Sequence, residues 1–296
     1  MDIITKEVDL CLDLDEKTIV LDIETTGLSK INNKIILIGF LFKKNNHNFI
    51  TQIFCDEKSE EKNLIKEFFK LISHYRNIIT YNGKVFDIPF IENKFLKYLK
   101  GKSIYDFNHI DLLDFFRKLK KPLCLDSLKL KSIEKLYGIN RIDEFSGKES
   151  VLLYEKYLIS KNKKLKEFIL LHNFEDILYL SKIECEKFNI LKNKNFYFEL
   201  ILKNKGYFLI INDYKFLKNK LRINLKSLNS NIPNLKLYYE NINIINKNDS
   251  LQIEISTTKK ENKVYYPSNN PILLKEFDYV YENVLYSIAK SLLKNL

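Results

Sequence analysis

The 296-residue chain has no tryptophan, one methionine, seven glycines, five prolines and four cysteines. The cysteines, Cys11, Cys55, Cys124 and Cys185, stand singly, with no CxxC pair or other metal-ligand spacing. A thiolate metal site and a disulfide framework are therefore both unsupported, and reduced thiols in a cytoplasmic protein are the economical reading. No run of 18 apolar residues occurs, so no transmembrane helix is expected. The opening MDIITKEVDL lacks the basic start and apolar core of a secretory signal. A glycine-rich phosphate loop and a convincing internal repeat are also missing. What remains is a chain 45% hydrophobic and 29% charged, which describes a soluble globular protein of one large domain or two smaller ones.

The net charge is +11, in a chain rich in Lys, Asn and Ile. Composition accounts for part of the lysine excess, but its distribution is uneven. Residues 1–190 hold 32 basic and 29 acidic side chains, and residues 191–296 hold 17 and 9. The positive excess thus lies mostly in the last third. It favours nucleic acid over an acidic protein or a membrane surface as the partner.

Thr18–Leu28, TIVLDIETTGL, opens with a β-branched apolar run that predicts a buried strand. Asp22 and Glu24 follow at i and i+2, which puts both carboxylates on one face of that strand. They either point into water at a strand end or share a divalent cation, the best compensation for adjacent buried anions. Lys34–Lys43 and Asn48–Cys55 predict two more strands around the turn at Lys44–His47, giving an antiparallel meander. Helical spacing follows over Lys58–Ser73, then a short strand at Asn77–Tyr81 and a helix over Val85–Leu99. Asp111–Leu119, Ser127–Tyr137, Glu149–Ile159 and Leu165–Phe188 predict further helices, an α/β layered pattern ending near residues 190–196. Beyond it, an aromatic and basic stretch over Asn195–Lys220 precedes strands at Leu235–Ile242, Leu251–Thr257 and Lys263–Tyr266. A turn is expected at Asn246–Asp249 and a closing helix over Ile272–Leu293.

Two further acidic positions suit the opening pair. Asp87, in YNGKVFD, falls in the first turn of a helix after a strand and turn. There it either complements the helix dipole or supplies a third ligand. In HNFED, His172 and Asp176 are four apart on one helix face, among leucines and isoleucines that would bury the helix. Four carboxylates and a neutral imidazole suit a two-metal phosphodiesterase, with hard Mg²⁺ or Mn²⁺ rather than zinc. His172 is the candidate to orient or deprotonate the attacking water.

The order DIET…YNGKVFD…HNFED resembles the DEDD superfamily of ribonuclease-H-like 3′–5′ exonucleases, and more closely the YprB-type ribonuclease-H-like domain. The likeness spans about Thr18–Phe188, including LDSLKLKSIEKLYGI at Leu125–Ile139 and the RIDEFSGKES loop at Arg141–Ser150. It implies a ribonuclease-H-like α/β fold over residues 1–190, with a mixed sheet whose first three strands are antiparallel. Residues 191–296 are then a small, basic, β-rich extension of unknown role. The resemblance further implies that Asp22, Glu24, Asp87 and Asp176 hold two Mg²⁺ or Mn²⁺ ions, and that the substrate is a DNA or RNA 3′ end. Thr25, Thr26 and Leu28 would contact the terminal nucleotide, flanked by Asn82 and Phe86. His172 stands at the spacing of the tyrosine subclass rather than that of the histidine subclass. The rivals are a nucleic-acid-binding or adaptor protein that keeps the fold without turnover, and a metal-dependent phosphatase or nucleotide hydrolase. Lys161, Lys163, Lys164 and Lys166, and the aromatics of 196–216, are better explained as a solvated helix start and core than as substrate contacts.

Overall fold

The computed structural model describes all residues except 11, 102, 121–122, 143–146, 191–196, 203–204, 248–249, 269 and 295–296. Part of the RIDEFSGKES loop, the expected boundary near 190–196 and half of the Asn246–Asp249 turn lie outside the described residues. Two compact units are formed, one from Met1–Phe116 with Ser127–Lys187, the other from Arg117–Asp126 with Phe188–Leu296.

The first unit is built on a six-stranded sheet of β1 (Asp2–Val8), β2 (Thr18–Thr25), β3 (Ile35–Lys44), β4 (His47–Phe54), β5 (Asn77–Thr80) and β6 (Asn108–Asp111), in the order β1-β4-β3-β2-β5-β6. β2, β3 and β4 form the expected antiparallel meander, and β5 and β6 join β2 in parallel. The mixed sheet is therefore as anticipated. The lead-in residues supply its edge strand β1, paired antiparallel with β4. β6 replaces the start of the helix expected at Asp111, and α3 runs Leu112–Leu119 instead.

Alternation along the strands sorts the two faces. Ile19, Leu21 and Ile23 of β2 pack with Phe40 and Ile53 against α1 (Glu61–Ile72) and α2 (Asp87–Tyr98), through Leu64, Ile65, Phe68, Ile88 and Ile91. On the other face, Leu37 and Phe54 meet Tyr154 and Tyr157 of α5 (Gly147–Ser160) and Ile169 of α6 (Lys163–Glu186). α6 is 24 residues long but carries lysines and acids throughout. Among the described residues no helix is long and apolar enough to cross a membrane.

A buried ion pair holds the loop leaving β2. The Lys94 ammonium lies 3.6 Å from Glu61 and donates to the Asn33 carbonyl at 2.6 Å. Glu61 accepts from the Ile35 amide at 2.9 Å. Both side chains are 1% exposed, and Glu61 is paired a second time, with the Lys34 ammonium at 3.0 Å. Two lysines around the start of α6 are paired: Lys166 with Asp2 and Asp56, and Lys161, just before the helix, with Glu57.

The second unit contains a six-stranded antiparallel sheet in the order β10-β11-β12-β9-β8-β7: β7 (Phe198–Leu202), β8 (Lys205–Phe216), β9 (Lys220–Ser227), β10 (Lys236–Tyr239), β11 (Ile242–Lys247) and β12 (Ser250–Ser256). A four-stranded sheet follows: β13 (Thr258–Lys260), β14 (Lys263–Tyr266), β15 (Ile272–Glu276) and β16 (Tyr279–Val280), with a last helix, α7 (Glu282–Lys294). Phe198, Tyr207 and Leu209 join Leu285, Ile288 and Ala289 of α7 in one core. Of the aromatic stretch, Phe198 and Tyr207 are buried in that core, with Tyr214 and Phe216 partly buried against it. The closing helix is shorter than expected because Ile272–Glu276 pairs with β14, and Phe277, at φ 51°, turns the chain into β16.

Candidate active site

β2 delivers the opening acids as its alternation demands. Ile19, Leu21 and Ile23 enter the core toward α1 and α2, so Asp22 and Glu24 face the side crossed by α6. Across the meander, Asp22 is level with Gly39 of β3, and Gly39 with Gln52 of β4. Asn173 of α6 lies directly over that row. Its Nδ2 donates to Asp22 Oδ2 at 2.8 Å, and its Oδ1 accepts from Gln52 Nε2 at 2.9 Å. Gln52 also donates to the Leu170 carbonyl at 2.8 Å, fastening the helix to the sheet. Gly39 makes the approach possible, since a Cβ there would sit 2.0 Å from Asn173 Oδ1.

Asp87 arrives from the next crossover. Asn82 takes φ 63°, which Asn tolerates better than most residues, and opens the turn between β5 and α2. Asp111 clamps it: the amides of Asn82 and Lys84 donate to its two carboxylate oxygens at 2.8 and 3.0 Å. Gly83 packs on Thr80, with no room for a Cβ. The turn then starts α2 with Asp87 buried in its first residue, accepting from the Ile23 amide at 3.2 Å.

His172 and Asp176 share one face of α6, with His172 Nε2 at 3.6 Å from Glu24 Oε1 and 3.8 Å from Asp176 Oδ2. Asp22, Glu24, Asp87, His172 and Asp176 all line one cavity of about 730 Å³. Thr25, Leu28, Asn82 and Phe86 line it too, with Lys129, Lys131 and Val151 at its other walls. Leu28 is 82% exposed. Thr26 does something else: its hydroxyl accepts from the Lys34 amide at 2.9 Å and its own amide donates to the Lys34 carbonyl, closing the loop below the cavity.

The electrostatics are those of crowded acids. Burial, then the charges of Asp176, Asp87 and Glu24, push the Asp22 carboxyl well above the ordinary range, against the hydrogen bond from Asn173. Burial likewise takes Asp87 to about 7. Acids in such a position hold protons unless a cation replaces them. The donor set is all carboxylate oxygen plus one imidazole, which fits a hard divalent cation such as Mg²⁺ or Mn²⁺. No three His, Cys, Asp or Glu side chains among the described residues are already gathered around one point as a finished metal cage. Asp176 is instead paired with Arg141.

Sequence reasoning found the acids but missed what holds them: Asn173, Gln52, Gly39, Asp111 and Arg141. Asn173 lay inside HNFED, between two residues assigned roles, yet a lone Asn carries no signal without knowledge of what it faces. The remaining histidines stand elsewhere, His47 against Glu7, His74 against the Tyr75 ring and His109 against Thr80.

The chain is 30% identical to the uncharacterized protein YprB of Bacillus subtilis over 162 residues, covering 54% of this chain and 39% of YprB. It is 27% identical to the PolC-type DNA polymerase III of Clostridium perfringens over 196 residues, covering 58% of this chain and 13% of that one. The chain therefore spans well under half the length of these relatives. Among solved structures, the zinc-bound complex of E. coli exonuclease I with single-stranded DNA aligns with a TM-score of 0.40 at 12% identity, covering 70% of this chain and 53% of that one. The family model of the RNase H superfamily matches residues 19–186, which is more than half of the chain and takes in every acid of the cavity. The chain belongs to the RNase H superfamily.

Proposed function

We propose that the protein is a metal-dependent nuclease that removes nucleotides from the 3′ end of DNA or RNA. One observation carries the reading: Asp22, Glu24, Asp87, His172 and Asp176, drawn from one strand and two helices, line a single cavity. Membership of a nuclease superfamily supports the reaction class. Asp22, Glu24, Asp87 and Asp176 would hold two Mg²⁺ or Mn²⁺ ions. When bound, the ions supply the positive charge that an in-line displacement at phosphorus requires. His172 takes a proton from the attacking water; the new bond forms at phosphorus as the bond to the leaving 3′ oxygen breaks. That oxygen takes a proton from solvent, leaving a chain one nucleotide shorter and a 5′-monophosphate. Thr25, Leu28, Asn82 and Phe86 would flank the terminal nucleotide. Residues 1–190 would carry the chemistry, and the basic residues 191–296 would help to hold phosphates.

A second reading, a nucleic-acid-binding protein without turnover, draws support from the Arg141–Asp176 pair, which occupies one of the four acids. Oligonucleotides of DNA and RNA, single- and double-stranded and labelled at the 5′ end, separate the two. With Mg²⁺ or Mn²⁺ the label is expected on a ladder that shortens one nucleotide at a time, and EDTA stops it. A label released at once as a mononucleotide would reverse the direction. Retarded but intact strands of every kind would overturn the nuclease reading in favour of binding alone.

A further inference from the structure

Arg141 is the one guanidinium described against an acid of this cavity, and its side chain is only 6% exposed. Its Nε donates to Glu134 Oε2 at 2.5 Å and its Nη2 donates to Glu134 Oε1, a two-pronged grip on a carboxylate of α4 (Leu130–Leu136) that is itself buried. The third nitrogen, Nη1, is ion-paired with Asp176 Oδ1. The guanidinium carbon lies 5.7 Å from the Tyr179 ring centroid. The next residue is fixed as well, its Ile142 amide donating to Glu175 Oε1 at 3.1 Å. The arginine is thus locked between α4 and α6 by groups one helical turn apart around Asp176.

This arrangement splits the two oxygens of Asp176. Oδ1 is on Arg141, while Oδ2 is the oxygen nearer His172, at 3.8 Å. Glu134 thus takes two of the arginine's nitrogens and leaves the third for Asp176. Carboxylates that bind metals are commonly held by such outer partners, which fix the rotamer and keep the ligand ionised.

We propose that Arg141, anchored by Glu134, is a positioning residue: it holds Asp176 by one oxygen so that the other is presented to the cations and the imidazole. This rests on the metal-dependent reading above, and its test is direct Mn²⁺ binding rather than turnover. Mn²⁺ is titrated into full-length wild type, Arg141→Lys and Arg141→Gln at pH 7.5, with free Mn²⁺ followed by electron paramagnetic resonance. Melting curves in EDTA accompany each titration. Arg141→Gln is expected to bind Mn²⁺ about 10–100-fold more weakly. Arg141→Lys, which keeps the charge but loses the fork, should fall between. Both shifts should exceed anything explained by the melting curves, because a purely structural tie between α4 and α6 would lower stability without changing affinity in the folded protein. If Arg141→Gln fails to fold, Arg141→Lys carries the test alone. Affinity unchanged or raised in the variants, with wild type binding Mn²⁺, overturns the proposal and leaves the nuclease reading standing; a raised affinity would make Arg141 a competitor of the metal. Wild type that binds no Mn²⁺ overturns both.

Discussion

Asp22→Asn is expected to abolish hydrolysis and, in EDTA, to make the protein more stable than wild type. Asp22 is half-buried beside Asp176, Asp87 and Glu24, and its carboxyl is raised by its removal from water and by those charges. A folded-state pKa above the unfolded one means that the folded protein pays to ionise this group as pH rises past the ordinary carboxylate range. Asparagine keeps the shape and can still accept from Asn173 Nδ2 through its carbonyl, so the contact survives while the charge goes. The gain in metal-free stability should be on the order of 1 kcal/mol, which is a few degrees in a domain of this size. Activity should fall at least about a hundredfold, the scale on which one preorganised charge contributes at a reacting phosphate or carbonyl. Melting curves and the labelled-strand assay on the same preparation check both halves. Lower stability in EDTA would mean that Asp22 serves the fold and not the chemistry.

Gly39→Ala should instead cost both stability and activity. The new Cβ would lie 2.0 Å from Asn173 Oδ1 and 2.4 Å from Ile177 Cδ1, distances that no packing tolerates. α6 must lift from β3, and the bridge from Gln52 through Asn173 to Asp22 is lost with its buried polar groups left open. Overpacking together with the broken bridge is expected to cost about 2–4 kcal/mol. Because His172 and Asp176 ride on the same helix, activity should drop even where the protein remains folded. Urea denaturation with the strand-shortening assay measures both. A wild-type midpoint would show that α6 does not depend on this close approach.

The contrast between these two positions shows what a single sequence discloses. Asp22 and Glu24 were legible because strand alternation is local: two acids at i and i+2 after an apolar run share a face wherever that strand lies. His172 and Asp176 were legible by the same logic at helical spacing. Gly39 and Gln52 were not, because their meaning comes from register, and nothing local says that Asp22, Gly39 and Gln52 stand in one row. Arg141 carries no local signal, since its partners Glu134 and Asp176 are 7 and 35 positions away. β6 was missed because its four residues, Asn108–Asp111, are mostly polar or exposed and are strand only by pairing with β5. The Ile272–Glu276 segment was assigned to a helix because a short apolar run fits either period; β14 beside it decides the matter.

The crowded acids of this cavity are suited to form a divalent-cation site. Crystals soaked in Mn²⁺ and measured at a wavelength where manganese scatters anomalously test it directly. Anomalous density is expected between Asp22, Glu24, Asp87 and Asp176, and is expected to be lost in Asp22→Asn crystals. Mn²⁺ bound only elsewhere on the chain, or nowhere, while those four carboxylates stay as they are, would contradict it.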